Sequence, residues 1–155
     1  MLCGNIAEDK FVTFFYGLLD CRRNLLTYSN AGHLPPIVIH GSRGCARLTA
    51  GGLVLGVLPT ARYDDGKIEL LADDRVLLFT DGLTEAMAPN DEEYGDKRIE
   101  SLGKEQFTQN ATGLIACVMK DVSRFCDSRF NDDATMIAIA VLADHDLYNA
   151  KRPRA

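Results

Sequence analysis

Short apolar runs separated by turn-forming residues dominate the first half of the chain. Residues 11–19 are aromatic and β-branched and residues 25–29 are similar, so the polar stretch between them predicts a hairpin. A short third strand is predicted at 37–39, and a further strand around 46–48, after a glycine-containing turn. Residues 53–58, punctuated by glycines and followed by proline, predict a loop.

The second half changes from strand patterns to helical ones. Residues 67–71 alternate, and residues 75–80 are predicted as a strand around a continuous apolar run, 76–79, of the kind that a buried strand has. A short helix is expected over 98–105, and a long one over 111–125, before a final strand within 136–142. The long helix has one apolar stripe, formed by Leu114, Ile115, Val118, Met119, Val122 and Phe125. Strands in succession, with the helices set apart, predict an α+β fold with helices on an antiparallel sheet.

Two acidic sites stand at the ends of predicted strands. Asp81 and Gly82 follow the apolar run 76–79 after a single residue, and Asp132 and Asp133 shortly precede the final strand. Carboxylates are the ligands that hard divalent cations prefer, so the pattern favours a metal site. Two plainer interpretations stay open, because Asp-Gly is a common turn or helix cap and Asp-Asp can be a solvated turn. The charged segment 91–98 is predicted to face solvent.

Composition limits the classes of function. The chain has 155 residues, enough for one domain, and a formal net charge of −5, which argues against a nucleic-acid ligand. It has no apolar run near the roughly 18 residues of a membrane span, so no membrane segment is expected. The sequence lacks phosphate-binding glycine motifs and a signal-peptide pattern. Five scattered cysteines without a CxxC pair predict free thiols and a cytoplasmic location.

Several strings of residues together resemble the bacterial PPM-type (protein phosphatase 2C-like) serine phosphatases. The closest subgroup is that of the stage II sporulation protein E and sigma-regulator phosphatases. The strings that carry the resemblance are 9–13, Tyr-Ser-Asn-Ala-Gly-His-Leu-Pro-Pro at 28–36, Gly56, Phe-Thr-Asp-Gly-Leu-Thr-Glu-Ala at 79–86, 94–95, and Asn-Asp-Asp-Ala-Thr at 131–135. Each string alone is weak, but their order and combination are specific.

The resemblance implies a phosphoserine/phosphothreonine phosphatase built as a β-sandwich flanked by helices, with two Mn²⁺ or Mg²⁺ ions. By the same resemblance, Asp81 and Asp132 are metal ligands, and Asp133 is an alternative ligand or supports one. Gly82 provides the turn beside the metal. His33 lies in a loop that is a signature of the subgroup. As a possible residue of the site loop it could be a general acid, a metal ligand or a loop hydrogen-bonder, and a structural role is favoured. No covalent catalytic residue is implied.

The chain departs from the family pattern at its start. The family's Gly-Asp-x-x-Asp and Asp-Val-x-Gly-His-Gly motifs are not found in it. Residues 1–143 are therefore expected to be a partial PPM-type domain without its N-terminal strands, and residues 144–155 a polar tail. We expect the chain to be a C-terminal fragment of a longer protein, or to pair with a second copy as a homodimer, because unpaired strand edges invite pairing.

Three functions are open to such a chain. The first is a metal-dependent phosphatase acting on a phosphorylated regulatory protein, by family analogy an anti-sigma-factor antagonist. The second is a catalytically inactive fragment or pseudo-phosphatase that acts as a protein-binding module. The third, an Asp-nucleophile phosphatase, is disfavoured, because such enzymes need an acid two residues after the first, where this chain has Leu83.

Overall fold

The computed structural model of the protein describes residues 10–143, except for the side chain of Ser42. These residues form two compact units, 10–35 with 47–70 and 36–46 with 71–143. The predicted tail at 144–155 and Cys3 lie outside the described residues. The elements of the described part are β1 (Phe14–Asp20), β2 (Leu25–Ala31), β3 (Ile37–Ile39), β4 (Cys45–Arg47), β5 (Gly51–Gly52), β6 (Gly66–Glu69), β7 (Arg75–Phe79), α1 (Asp81–Thr84), α2 (Asp96–Glu105), α3 (Ala111–Phe125) and β8 (Met136–Ala140).

The first unit contains a four-stranded sheet built on the predicted hairpin. β1 and β2 pair antiparallel from Phe14↔Ala31 to Asp20↔Leu25. The turn between them is closed by Asp20, whose carboxylate accepts hydrogen bonds from the backbone N–H groups of Arg22 (2.9 Å) and Arg23 (3.2 Å). β6 pairs antiparallel with the other edge of β2. The hairpin is thus as predicted, although β1 begins at residue 14 rather than 11.

One strand of this sheet was not predicted. Gly51 and Gly52 form β5, which runs parallel to β2 with Asn30 opposite Gly51. A Cβ atom at Gly51 would overlap the backbone of Asn30, so only glycine allows this approach. Two glycines carry no alternating pattern, so the sequence predicted a glycine-rich loop here instead of a strand.

The second unit is a four-stranded sheet with the helices. Its strand order is β4-β3-β7-β8, and β7 pairs antiparallel with both β3 and β8. The central strands are apolar on both faces, as the continuous run predicted. The residues that form this core are at most 1% exposed: Ile37, Val38, Ile39, Val76 and Leu77.

Helix α3 has the predicted bounds. Asn110 caps its N-terminus, since its side-chain oxygen accepts a 2.8 Å hydrogen bond from the backbone N–H of Gly113. Leu114, Val118 and Val122 of the predicted stripe are fully buried, and the other three members of the stripe are half-buried. The helix is therefore held to the second unit by its apolar face, as the spacing indicates.

The prediction that residues 91–98 face solvent is wrong for Tyr94. Tyr94 is 2% exposed, and its hydroxyl donates a 2.7 Å hydrogen bond to Asp121 of α3. The Arg98 guanidinium lies 4.4 Å from the centre of the Phe125 ring, a cation–π contact. The charged residues on either side of Tyr94 made the segment read as solvent-facing, although Tyr94 joins it to α3.

The unit also buries an acidic side chain, that of Asp74, which is 0% exposed. One of its oxygens lies 2.8 Å from Nδ1 of His40, and the other accepts a 3.1 Å hydrogen bond from Arg43. The backbone N–H of Leu71 donates a third hydrogen bond of 2.8 Å. A fully buried carboxylate needs such partners, so His40 has a structural role in this unit. The four described cysteines, Cys21, Cys45, Cys117 and Cys126, are free thiols, as predicted.

Candidate metal centre

The first acidic segment begins where the buried strand β7 ends. Thr80 follows the strand in an extended conformation (φ −89°, ψ 163°), and Asp81 is the first residue of the single-turn helix α1. Gly82, Leu83 and Thr84 are buried, whereas Asp81 is exposed. The chain therefore fixes the backbone of α1 in the core and leaves the Asp81 carboxylate accessible to solvent.

The second acidic segment approaches the first through the sheet. β8 pairs antiparallel with β7, and its first residue, Met136, lies opposite Phe79 at the end of β7. The ladder continues one step further, because the backbone N–H of Thr80 donates to the carbonyl oxygen of Thr135 at 3.1 Å. The residues just before Thr135, Asp132 and Asp133, are consequently brought to the end of β7.

A threonine side chain joins the two segments. The Thr80 hydroxyl donates a 2.8 Å hydrogen bond to the carbonyl oxygen of Asp133 and accepts a 3.0 Å hydrogen bond from the backbone N–H of Thr135. The sequence makes Thr80 a possible supporting residue beside Asp81 but assigns it no chemistry, because no local pattern distinguishes it from any other threonine after a strand. Its partners are identified only by the tertiary structure.

The backbones of the two segments are in close contact at Gly82. A Cβ atom placed there would lie 2.6 Å from the carbonyl oxygen of Asp133 and 3.1 Å from that of Asp132. Real Cβ atoms essentially never come within 3.0 Å of a backbone atom, so a larger residue would push the segments apart. Glycine is required at this position by the close approach of Asp132 and Asp133 and not, as the predicted turn implied, by its backbone conformation, since Gly82 lies within α1 and has no positive φ.

The carboxylates of Asp81 and Asp132 make equivalent hydrogen bonds, each to the backbone N–H of the next residue. Oδ1 of Asp81 accepts a 3.0 Å hydrogen bond from the N–H of Gly82, and Oδ1 of Asp132 accepts one of 2.7 Å from the N–H of Asp133. Both side chains and that of Asp133 are exposed. Within residues 10–143, none of the three forms an ion pair with lysine, arginine or histidine. Several lone pairs on these oxygens thus remain available to a hard cation.

The donor set is suitable for Mg²⁺ or Mn²⁺ but is not complete in the described part of the chain. Among residues 10–143, no three histidine, cysteine or acidic side chains are grouped so that they could hold a metal ion. The structure brings together the segments of Asp81, Gly82, Asp132 and Asp133. Their role as metal ligands stays a prediction, which we take up below.

His33 belongs to the first unit, where its backbone is held by Asn30. The Asn30 side chain accepts a 2.8 Å hydrogen bond from the N–H of His33 and donates one of 2.9 Å to its carbonyl oxygen. Asn30 is itself buried and also donates to the carbonyl oxygen of Leu48 at 3.3 Å. These contacts give the Asn-Ala-Gly-His loop a fixed shape, and they concern the His33 backbone rather than its ring.

The chain is similar to known phosphatases over most of its length. A family model described as stage II sporulation protein E (SpoIIE) matches residues 1–142. The phosphoserine phosphatase RsbU of Bacillus subtilis is 28% identical over 137 residues, which cover 87% of this chain and 40% of that protein. Protein IcfG of Synechocystis sp. is 27% identical over 130 residues, 83% of this chain and 20% of that protein. The chain thus spans less than half the length of either relative.

The fold has a solved counterpart. The phosphatase domain of the cell fate determinant SpoIIE from Bacillus subtilis, presoaked with manganese, matches with a TM-score of 0.68 and 16% identity. The match covers 92% of this chain and 59% of that chain. At this identity the likeness concerns the fold, and it confirms the predicted α+β class with phosphatase-like antiparallel sheets. With the family model matching residues 1–142, the resemblance to sigma-regulator phosphatases is confirmed, and the chain belongs to the stage II sporulation protein E (SpoIIE) family.

Proposed function

We propose that this chain supplies part of the metal site of a phosphoserine/phosphothreonine phosphatase. The observation that supports this most is the contact of Gly82 with the backbone of Asp132 and Asp133, which brings two acidic segments to one sheet end. Asp81 and Asp132 are the proposed ligands of Mn²⁺ or Mg²⁺, with Asp133 as an alternative ligand. The other ligands would come from water, substrate or residues outside the described part.

The proposed chemistry is hydrolysis by water without a covalent intermediate. When bound, a pair of divalent ions supplies a water of lowered pKa and neutralises charge on the phosphoryl oxygens. The residues of this chain hold their carboxylates in position through the N–H groups of Gly82 and Asp133. The Thr80 hydroxyl keeps the two segments together.

The proposed substrate is a phosphorylated regulatory protein. RsbU, which is similar to this chain over 137 residues, is named a phosphoserine phosphatase. By analogy, the substrate would be the phosphoserine form of an anti-sigma-factor antagonist or a similar small regulator. A nucleic-acid partner does not fit the net charge of −5.

A cytoplasmic location is also part of the proposal, supported by the four free cysteines. Within the described residues, no helix has the length and apolar character that crossing a membrane requires.

A second copy of the chain is the proposed partner of β1. Phe14, Tyr16 and Leu18 alternate along this strand and are 50%, 58% and 62% exposed. β1 is the outer strand of its sheet, and its first six residues include no charged residue or proline. Natural proteins protect free strand edges with such residues, so an apolar edge of this kind favours pairing.

The first test is manganese binding and phosphatase activity of the 155-residue chain. Calorimetric titration with Mn²⁺ and hydrolysis of a phosphoserine peptide would be compared for the unaltered chain, Asp81→Asn and Asp132→Asn. Asp65→Asn is the matched control, since Asp65 is an exposed aspartate of the first unit. We expect both site variants, but not the control, to lose manganese affinity and turnover.

The two measurements separate the possible outcomes. Manganese binding that depends on Asp81 without any turnover would support the metal site and favour the binding-module function for this chain. Equal manganese binding by the unaltered chain and both site variants would refute the proposed ligands.

A further inference from the structure

A pocket of about 290 Å³ lies next to the second acidic segment. Asn131, which lines it, directly precedes the proposed metal ligand Asp132. The pocket residues come from the loop after α1 and from the loop between α3 and β8. They are Met87, Ala88, Pro89, Asp91, Arg129 and Asn131.

The first wall of the pocket is a closed turn. The backbone N–H of Ala88 donates to the carbonyl oxygen of Glu92 at 2.8 Å, and that of Asp91 donates to the carbonyl oxygen of Ala88 at 3.0 Å. Met87 and Glu93 form an antiparallel bridge beneath this turn. These bonds fix the backbone of Met87, Pro89 and Asp91, and with it the places from which their side chains line the pocket.

The second wall is fixed by the end of α3. Asp127 and Ser128 have φ values of 49° and 61°, a region that residues other than glycine seldom adopt. The N–H of Ser128 donates to the carbonyl oxygen of Ser123 at 2.7 Å, and the N–H of Arg129 donates to that of Cys126 at 2.8 Å. The chain therefore leaves the helix by a hydrogen-bonded turn that places Arg129 at the pocket.

Arg129 is available to a ligand. Its side chain is 76% exposed, and its ion pair with Asp127, itself 60% exposed, has an N–O distance of 3.6 Å. Such a pair contributes little to stability. A guanidinium group has five N–H donors in a planar arrangement that fits a carboxylate, so most of its binding capacity remains.

The pocket has the chemistry of a peptide site rather than a phosphate site. The Asp91 carboxylate in the lining would repel a phosphoryl group, which carries two negative charges, about twice as strongly as the singly charged carboxylate of a glutamate or aspartate. The combination of one cation, one anion, an amide and apolar side chains instead suits a polypeptide segment with an acidic residue.

We infer that this pocket binds the substrate polypeptide beside its phosphoserine, with Arg129 pairing with an acidic side chain of the substrate. This inference rests on the proposed function, because the adjacent Asp132 segment is where the phosphoserine would be held. Arg129 is a specificity residue in this scheme and does not contact the reacting phosphoryl group.

The test uses the full chain and two nine-residue peptides with a central phosphoserine. One peptide has glutamate at the two positions on each side of the phosphoserine, and the other has glutamine there. Binding is measured by fluorescence anisotropy, and hydrolysis is measured separately with Mn²⁺. The variants are Arg129→Glu and Arg129→Lys, with Arg23→Glu as control. Arg23 is matched because it is 79% exposed and has a similarly long ion pair of 3.8 Å, with Asp20.

We expect the unaltered chain and the control to bind the glutamate peptide about twofold to fivefold more tightly than the glutamine peptide, as an exposed charge pair allows. Arg129→Lys should keep part of this preference and Arg129→Glu should lose it. Equal binding of both peptides, a preference that survives in Arg129→Glu, or no binding at all would overturn the inference.

Failure of the proposed function gives a different result. A preference that depends on Arg129 without any hydrolysis would support the pocket and count against catalysis by this chain. Hydrolysis of both peptides at equal kcat/KM by the unaltered chain would support catalysis and overturn the role of Arg129.

Discussion

The Thr80 hydroxyl donates a 2.8 Å hydrogen bond to the carbonyl oxygen of Asp133, a residue 53 positions away in the chain. The same hydroxyl accepts a hydrogen bond from the backbone N–H of Thr135. A single side chain thus joins the end of β7 to the segment before β8. The two acidic segments depend on this connection for their relative position.

Replacing Thr80 by valine tests the connection with almost no change in side-chain shape. We expect Thr80→Val to lower the free energy of unfolding by about 1–2 kcal/mol, because two hydrogen bonds to backbone groups are lost. Urea titration measures this loss, and manganese titration should show weaker binding. Thr80→Ser retains the hydroxyl and is the control. Equal stability of the two variants would contradict the role given to the hydroxyl.

Gly82→Ala should separate the acidic segments. The added Cβ would lie 2.6 Å from the carbonyl oxygen of Asp133, a backbone atom that cannot rotate away. We expect a destabilisation of about 1–3 kcal/mol, as for other overpacked sites, together with weaker manganese binding.

Gly113→Ala is the control for this substitution. Its added Cβ would meet side-chain atoms of Gln109 and Asn110, the nearest being Gln109 Oε1 at 2.9 Å, and the end of the flexible Gln109 side chain can move. Alanine is also the better helix former by about 1 kcal/mol. Gly113→Ala should therefore be neutral or stabilising in the same urea titration, and equal losses in both variants would contradict the contact argued for Gly82.

Tyr94 and Asp121 should make stability depend on pH at both extremes. Burial and the hydrogen bond to Asp121 raise the pKa of Tyr94, while the hydrogen bond from Tyr94, and then Arg124, lower the pKa of Asp121. Because the pKa of Tyr94 is raised on folding, its contribution to the free energy of unfolding is complete below pH 10, near the pKa of an unfolded tyrosine (about 10). This contribution is lost as the pH rises above that value. The pKa of Asp121 is lowered on folding, so its contribution to the free energy of unfolding is complete above about pH 4 and is lost as the pH falls below that value.

Tyr94→Phe removes the pair. We expect the free energy of unfolding of the unaltered chain to be about 1–2 kcal/mol larger than that of the variant near pH 7. The difference should be smaller below pH 4 and above pH 10. Unfolding in urea from pH 3 to pH 11 measures the difference. Asp121→Asn should abolish the acid-side change, and a difference that does not vary with pH would refute the assignment.

Self-association through β1 should be sensitive to charge on its exposed face. Tyr16→Lys with Leu18→Lys places two like charges on the strand, so we expect this double variant to be monomeric at concentrations where the unaltered chain is a dimer. Light scattering coupled to size-exclusion chromatography measures the mass. Leu71→Lys, at a leucine that is 39% exposed in the second unit, is the control. A monomeric unaltered chain would exclude the dimer.

Much of the fold follows from patterns within a few residues. The stripe from Leu114 to Phe125 predicts α3 with its observed bounds, because a period of 3.6 over fifteen residues is unambiguous. The apolar run before Asp81 likewise predicts β7 and places the aspartate at its end. The weaker predictions were made where side chains carry no period, as at Gly51 and Gly52, or where charged neighbours surround a core residue, as at Tyr94.

The sequence by itself supplied the candidate ligands for a divalent ion, Asp81, Asp132 and Asp133, because their carboxylates offer hard oxygen atoms and stand beside predicted strands. It did not determine their neighbours, the pocket at Arg129 or the role of Thr80. These depend on the pairing of β7 with β8, which joins segments about fifty residues apart along the chain. The two strands pair because pairing buries the apolar side chains of both in one core. The free energy of this burial arises only in the assembled sheet, so no local stretch of sequence reveals it.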